Sequence, residues 1–277
     1  MGWGILMKFN EESKIIYFEK TKLNQQQIDN LYIPKDYQGI ISSITFHNGI
    51  YYYYKDVTLN SLINELIGSY LAQKLGLDTV DYKIGIMNNK FYVLSKIFYQ
   101  TGFQYYDCKS YFRKSSFDNI TTFQTFLSFF YLSEFEIIRR LNSPELLESI
   151  LKLIALDLKM GQFDRHNKNL FLKKDSNGIV DLAPQFDYGG SYHKKGIPFK
   201  IYDNPLITIR KNKLSLQNFS KQYPNFVKYI CILYNISMDN ILNDLEQNNL
   251  LIFEQKEKSF YLEQDKENNK ILKKILY

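Results

Sequence analysis

The hydrophobic pattern of this chain of 277 residues shifts from mainly strand-like to mainly helical near residue 97. Up to that point, short β-prone runs are separated by turn sequences. An Asn-Gly step at 48–49 and an Asn-Asn step at 88–89 predict two β-hairpins. The exception is 58–75, where leucines recur at helical spacing before a glycine. Residues 1–98 are therefore predicted to form a small lobe of strands with one helix.

The rest of the chain, 99–277, is predicted to be mostly helical, with one short hairpin around 175–178 and a loop over 188–214. The segments with helical hydrophobic spacing are 121–132, 144–160, 216–234, 238–247 and 254–276. We therefore expect an α+β fold of two lobes, in which a small β-rich N-lobe precedes a larger, mostly helical C-lobe.

Composition excludes several classes of protein. The chain is 45% hydrophobic and 23% charged, which is typical of a globular protein and excludes a disordered one. Its two cysteines, Cys108 and Cys231, are too few and too far apart for a disulfide framework or a cysteine zinc site. No signal peptide is visible, and no apolar run approaches the ~20 residues of a membrane-spanning helix, so a cytoplasmic protein is expected.

The net charge of +6 is consistent with an anionic ligand. By itself it is too small to indicate nucleic acid, which is not expected as a partner.

The segment between 161 and 189 contains the residues that predict chemistry. Asp164 and Asn169 have the spacing D-x-x-x-x-N after a helix that ends at Gly161, and Asp187 begins an Asp-Tyr-Gly step after the predicted hairpin. Protein kinases space their catalytic base and a metal-binding Asn in this way and place Asp-Phe-Gly after them. Single Asp residues are often turn or capping residues, but the order of all three favours phosphoryl transfer. Asp164 is then the candidate base, with Asn169 and Asp187 as Mg²⁺ ligands.

A kinase also needs a cationic side chain that binds the phosphates of ATP. An acidic side chain on the next helix holds this cation in place. Lys55 ends a tyrosine-rich strand, and Glu65 lies on the helix that follows. This order predicts that Lys55 contacts the α- and β-phosphates and that Glu65 pairs with Lys55. The alternative, that both are solvated surface charges, stays open.

These motifs resemble those of the HipA-type serine/threonine kinases, and among them the short CtkA-like members. The family pattern Gly-Asn-Phe-Asp-Arg-His-Asn-x-Asn, followed by Ala-Pro-x-Phe-Asp, matches 161–169 and 183–187 almost letter for letter. Weaker matches run through 64–77 and 89–98. The resemblance implies a protein-kinase-like fold, ATP and Mg²⁺ as cofactors, an unidentified protein substrate and autophosphorylation. It also implies that export or translocation into a host is possible.

The resemblance implies further site residues. His166 lies between the base and the metal ligand, where it either orients or relays a proton or is a structural residue. The loop that covers the nucleotide corresponds to 38–43 and would contact ATP through Gly39, Ser42 and Ser43. A serine of this loop is autophosphorylated in HipA proteins. The connection between the lobes, Ile97 and Phe98, would face the adenine.

Two other functions stay open. The motif G-x-x-D-R-H-x-x-N followed by D-F-G also occurs in phosphoinositide kinases, so a lipid acceptor is an alternative. The nucleotide-covering loop has a single glycine, which reduces the number of backbone N–H groups that can approach a phosphate. A pseudokinase or binding module, which keeps the fold without phosphoryl transfer, is therefore the other alternative.

Overall fold

A computed structural model describes residues 15–31, 33, 42–107, 144–162, 169–192, 206–209, 212–215, 219–221, 223–249 and 252–277. In this part of the chain the strands are β1 (Ile15–Tyr17), β2 (Ile44–His47), β3 (Ile50–Asp56), β4 (Tyr82–Met87), β5 (Lys90–Lys96), β6 (Gln104–Asp107), β7 (Phe171–Lys174), β8 (Val180–Leu182), β9 (Leu206–Ile209) and β10 (Asn212–Ser215). The helices are α1 (Gln25–Asp29), α2 (Leu59–Lys74), α3 (Pro144–Met160), α4 (Pro224–Tyr234), α5 (Met238–Asn249) and α6 (Gln255–Leu276).

The first five strands form one sheet in the order β1-β4-β5-β3-β2, in which only β1 and β4 are parallel. Both hairpins predicted in this region are present. Asn48 and Gly49 connect β2 to β3, and Asn88 and Asn89 connect β4 to β5. All four residues have positive φ, between 49° and 81°, as a two-residue hairpin turn of type I′ requires.

Helix α2 begins and ends close to the predicted positions. The hydroxyl of Thr58 accepts a hydrogen bond from the N–H of Ser61, and the helix stops before Gly76, whose φ of 66° ends it. The pattern of leucines predicts one apolar face, but the structure buries most of the helix surface. The reason is that α2 lies between the sheet and the helices of the C-lobe, and contacts β4, β5, α3 and α5. Even Asn64 and Glu65 are therefore buried.

The main core is continuous from one face of the five-stranded sheet through α2 to the helices of the C-lobe. Helix α3 has the predicted bounds, ends at Gly161 with a φ of 59°, and packs against α4 and α6. The predicted helices at the C-terminus are present as α5 and α6. The predicted helix at 216–234 contains α4 from Pro224, where proline fits the first turn because its missing N–H has no partner, and residues 219–221 are also helical; 216–218 lie outside the described residues.

The second sheet and a further hairpin differ from the prediction. The predicted hairpin around 175–178 is present as β7 and β8, but β6 joins it as a third strand in a region expected to be mostly helical. The segment 188–214, expected to be a loop, contains β9, which pairs antiparallel with β10. The predicted helix at 121–132 lies outside the described residues. Among the helices that the structure describes, none is long and apolar enough to cross a membrane.

Candidate functional site

A cavity of about 210 Å³ lies between the five-stranded sheet and the segment that follows β8. Its wall is mainly apolar and aromatic, with charged side chains contributed by β3, α2, β5 and the segment after β8. The lining residues are Tyr53, Lys55, Glu65, Val80, Tyr82, Val93, Ser95, Lys96, Ile97, Phe98, Tyr99, Phe171, Phe186 and Asp187. Five of the residues singled out by sequence therefore line one cavity, namely Lys55, Glu65, Ile97, Phe98 and Asp187.

The central charged contact in the cavity is an ion pair between Lys55 and Asp187. Lys55 Nζ lies 2.9 Å from Asp187 Oδ1, although the two residues are far apart in sequence. Burial by itself would lower the pKa of Lys55, but the charge of Asp187 and its hydrogen bond outweigh burial and raise the pKa above its ordinary value. Lys55 is therefore a permanent cation next to a carboxylate.

Glu65 does not make the predicted ion pair with Lys55. Its carboxylate accepts hydrogen bonds from the N–H of Tyr188 at 2.7 Å and from the N–H of Gly189 at 3.2 Å. Burial and the charge of Asp187 raise the pKa of Glu65 to about 7, while hydrogen bonds from Tyr188 and Tyr82 and the charge of Lys55 act in the opposite direction. The two contacts differ from the prediction because Asp187 binds the ammonium group of Lys55. The N–H groups that follow Asp187 in the chain donate hydrogen bonds to Glu65 instead.

Asp187 has a φ of 60°, which a residue with a side chain rarely adopts unless its surroundings hold it there. Two side chains bind its backbone. The hydroxyl of Tyr82 accepts from the N–H of Asp187 at 3.0 Å, and the side-chain amide of Gln162 donates to its carbonyl at 2.8 Å. Just before it, Gln185 pairs with 78–80 through two backbone hydrogen bonds. These contacts fix the direction in which the Asp187 carboxylate enters the cavity.

The tyrosine after Asp187 packs directly against α2. Its ring is fully buried, and a methyl group added at Gly68 would lie 2.2 Å from Tyr188 Cγ. Glycine at this position therefore allows the aromatic ring to approach the helix backbone. At the next residue, Gly189, a Cβ would lie 2.3 Å from Ser61 Oγ, a hydroxyl that can rotate away.

Asn169 is buried two residues before the start of β7. The antiparallel pairing of β7 and β8 continues to a hydrogen bond from the N–H of Ala183 to the carbonyl of Phe171. The start of β7, which Asn169 precedes, and the end of β8, which Asp187 follows, therefore lie side by side. The predicted base Asp164 and the neighbouring His166 lie outside the described residues.

Of the predicted nucleotide-covering loop, Gly39 lies outside the described residues, while Ser42 and Ser43 precede β2. Neither serine belongs to the residues that line the cavity. The carbonyl of Ser42 accepts a hydrogen bond from the hydroxyl of Tyr54 at 3.2 Å.

The connection between the lobes forms an aromatic part of the cavity wall. The ring of Phe98 stacks on that of Phe186 with centroids 5.9 Å apart and an interplanar angle of 30°, and Phe171 meets both. Two backbone groups of this connection form hydrogen bonds within the protein. The N–H of Ile97 donates to the carbonyl of Tyr51, and the carbonyl of Phe98 accepts from the hydroxyl of Tyr105. A planar apolar ligand would find ring faces on this side of the cavity.

Several residues that shape the site were not singled out by sequence. Tyr82 and Gln162 bind the backbone of Asp187, and Asn64 binds the carbonyl of Gly189 at 3.1 Å. Gln162 had a signal, since it occupies the position of the Asn in the family pattern before Phe-Asp-Arg-His, and Asn64 begins the weaker match at 64–77. Tyr82 has none, because an alternating strand sequence does not show where its hydroxyl will lie.

The donor set around Asp187 suits a hard cation. A carboxylate and an amide oxygen are ligands that Mg²⁺ accepts, with the remaining positions filled by phosphate and water oxygens. Within the residues that the structure describes, no group of three or more His, Cys, Asp or Glu side chains could hold a metal ion.

No protein-family model matches the chain, and no curated protein does. The solved structures that share its fold include CtkA and HipA. The Helicobacter pylori proinflammatory kinase CtkA aligns with a TM-score of 0.57 and 18% identity over 84% of this chain and 91% of that one. HipA, from a complex of the Shewanella oneidensis MR-1 toxin–antitoxin system HipA and HipB with its operator DNA, aligns with a TM-score of 0.52 and 12% identity over 84% of this chain and 63% of that one.

At such low identity the likeness to CtkA and HipA establishes the fold. The chain has an α+β kinase-like fold of the kind seen in these two proteins, which confirms the fold class and the resemblance predicted from sequence.

Proposed function

We propose that this protein is an ATP- and Mg²⁺-dependent serine/threonine protein kinase of the HipA/CtkA type, which transfers the γ-phosphoryl group to protein hydroxyls and phosphorylates itself. The observation that carries the proposal is the cavity in which Lys55 meets Asp187 within a kinase-like fold. A cation for phosphates and a carboxylate for a metal ion, placed beside aromatic ring faces, match the three parts of Mg-ATP.

In this proposal each charged residue has one role. Lys55 moves from Asp187 to the α- and β-phosphates, which leaves the Asp187 carboxylate available, together with Asn169, to hold Mg²⁺. When bound, Mg²⁺ neutralises charge on the phosphate oxygens. Asp164 accepts the proton of the attacking hydroxyl, and His166 orients that exchange. Glu65 holds the backbone after Asp187.

The remaining predicted residues surround the nucleotide. Ile97 and Phe98 contact the adenine, and Gly39, Ser42 and Ser43 cover the phosphates. We assign 1–98 to the N-lobe and 99–277 to the C-lobe, with the cavity between them. The acceptor is a protein hydroxyl; its identity is left to experiment.

The direct test is an autophosphorylation assay with γ-labelled ATP and Mg²⁺, comparing wild type with Asp187→Asn. The substitution keeps the shape of the side chain and removes its charge, so we expect transfer to fall by at least about 100-fold. Asp181→Asn, in the neighbouring strand β8 and outside the cavity, is the matched control and should transfer at the wild-type rate. Equal transfer by wild type and Asp187→Asn would refute the assignment of Asp187.

A second pair of measurements separates the kinase from the two alternatives. Asp164→Ala should abolish transfer to protein, because it removes the proposed base. Label transferred to phosphoinositide vesicles but not to protein would instead indicate a lipid kinase. If ATP gives no thermal stabilisation with Mg²⁺ present, the cavity does not bind Mg-ATP, and a binding module would replace the kinase.

A further inference from the structure

The last helix, α6, has a buried polar face. Tyr261, Asp265 and Asn268 are four and three residues apart, so they lie on one side of the helix, and all three are buried. A helix on a protein surface normally turns apolar residues inward. Here the apolar residues Ile271, Leu272 and Ile275 are buried in the last turns, while the earlier part of the face adds polar groups to the buried ring of Tyr261.

The first contact of this face runs through Asn64 of α2. The hydroxyl of Tyr261 lies 3.2 Å from Asn64 Oδ1 and 3.3 Å from the carbonyl oxygen of Asn60, and it shares its single proton between these two acceptors. The Nδ2 of the same side chain donates to the carbonyl of Gly189 at 3.1 Å and to the carbonyl of Ser191. Carbonyl oxygens only accept hydrogen bonds, so the two carbonyls require the Nδ2 of Asn64 to face them and its Oδ1 to face Tyr261. One buried side chain thus joins α6 to the segment immediately after Asp187.

The second contact runs through the end of α3. Lys159 Nζ lies 2.8 Å from Asp265 Oδ1, and Asn268 donates to the carbonyl of Lys159 at 2.8 Å. Lys159 stands three residues before Gln162, whose side chain donates to the carbonyl of Asp187. Helix α6 therefore contacts Asn64 of α2, which binds the segment after Asp187, and the end of α3, which directly precedes Gln162.

The segment held in this way needs support. Asp187 has a φ of 60° and Tyr192 a φ of 45°, conformations that cost free energy unless surrounding contacts determine them. The N–H of Tyr192 donates to the carbonyl of Met160, which places it beside the end of α3. Contacts from α6 reach this segment through Asn64 and through the ring of Tyr192, while Lys159 joins α6 to the end of α3.

We propose that Tyr261 is a positioning residue for Asp187. By orienting Asn64, it holds the segment 187–192 in the conformation in which Asp187 presents its carboxylate to the cavity. The inference rests on the proposed function, in which that carboxylate binds Mg²⁺, and it assigns to α6 a part in metal binding without contact with the metal ion or the nucleotide.

The test compares Tyr261→Phe with Ile275→Val. Phenylalanine keeps the edge contact with the ring of Tyr192, whose centroid lies 5.7 Å away, and removes only the hydroxyl. Ile275→Val removes one buried methylene from the same helix, away from the polar face. The Mg²⁺ concentration for half-maximal autophosphorylation should rise roughly 2- to 10-fold in Tyr261→Phe, the effect of one hydrogen bond, and stay at the wild-type value in Ile275→Val.

A second readout does not depend on activity. Amide hydrogen exchange over 187–192 should accelerate roughly 2- to 10-fold in Tyr261→Phe and not in Ile275→Val. Asn64→Asp, which replaces the donor by an acceptor facing two carbonyls, should accelerate it further. Unchanged exchange in Tyr261→Phe would overturn the inference. The two proposals can fail separately. If the wild-type protein transfers no phosphoryl group but exchange is still faster in Tyr261→Phe, the proposed function is refuted while the role of Tyr261 is supported.

Discussion

Gly68 shows at the scale of one residue how closely the segment after Asp187 approaches α2. In the interior of a helix, replacing glycine by alanine ordinarily stabilises a protein by about 1 kcal/mol. Here the new methyl group would lie 2.2 Å from Tyr188 Cγ, in a fully buried contact with a rigid ring. We therefore expect Gly68→Ala to destabilise the protein by about 1–3 kcal/mol, measured by urea unfolding.

The control for this prediction is Gln73→Ala, which is exposed on the same helix and should change the free energy of unfolding by less than about 0.5 kcal/mol. A stabilised Gly68→Ala protein would mean that Tyr188 does not pack against this helix as described.

Glu65 makes stability depend on pH. Burial and the charge of Asp187 raise its pKa to about 7 from an ordinary value of 4.5, so the folded protein binds this proton more tightly than the unfolded chain does. The resulting stability is fully present below about pH 4.5 and is lost as the pH rises through about 7. Urea unfolding from pH 5 to 8 should show wild type losing on the order of 2–3 kcal/mol relative to Glu65→Gln.

Glu263→Gln, on the exposed side of α6, is the control and should follow wild type across the same range. Parallel curves for wild type and Glu65→Gln would exclude a raised pKa at Glu65.

The sequence motifs identified Lys55 and Asp187, whose side chains are in contact in the structure. The same motifs predicted Lys55 as the partner of Glu65, which is wrong. The motif spacing indicates which residues can hold a phosphate or a metal ion. It contains no information on backbone donors, and the donors to Glu65 are the N–H groups of Tyr188 and Gly189, more than one hundred residues further along the chain.

At the scale of elements, a buried ion pair between Lys159 and Asp265 connects α3 to α6. Burial lowers the pKa of Lys159 and raises that of Asp265, while each charge opposes that effect on the other. Removing one partner leaves a buried charge without its counterion. Asp265→Ala should therefore destabilise the protein by about 3–5 kcal/mol in thermal or urea unfolding.

Two variants complete this test. Glu267→Ala removes the exposed pair with Lys270 on the same helix and should cost at most about 1 kcal/mol. Replacing both buried charges, as Lys159→Met with Asp265→Leu, should recover most of the lost stability. A single Asp265→Ala substitution as mild as Glu267→Ala would show that the buried pair is absent in solution.

Helices and strands whose ends depend on neighbouring residues could be predicted from the sequence. Those that depend on contacts with distant parts of the chain could not. The turn at Asn48 and Gly49 and the cap at Thr58 depend on neighbouring residues, so the sequence indicates them directly. Strand β6 depends on pairing with β7, far along the chain, and α2 is buried on most sides because elements from both lobes surround it. Neither fact is visible in a local pattern.

At the scale of the whole molecule, one continuous core joins the five-stranded sheet, α2 and the C-lobe helices, and the cavity lies where these parts meet. Lys55 reaches the cavity from the sheet, while Asp187 reaches it after the β7–β8 hairpin. This arrangement explains why a ligand that contacts both residues would also link the two lobes, and why its binding should stabilise the entire fold.

The most direct measurement is a crystal structure with a non-hydrolysable ATP analogue and Mg²⁺. We expect the analogue in the cavity against Phe98 and Phe186, Lys55 Nζ on its phosphates, and Mg²⁺ about 2.0–2.1 Å from oxygens of Asn169 and Asp187. An analogue bound elsewhere, or a metal ion that neither Asn169 nor Asp187 contacts while Lys55 keeps its ion pair, would contradict the account.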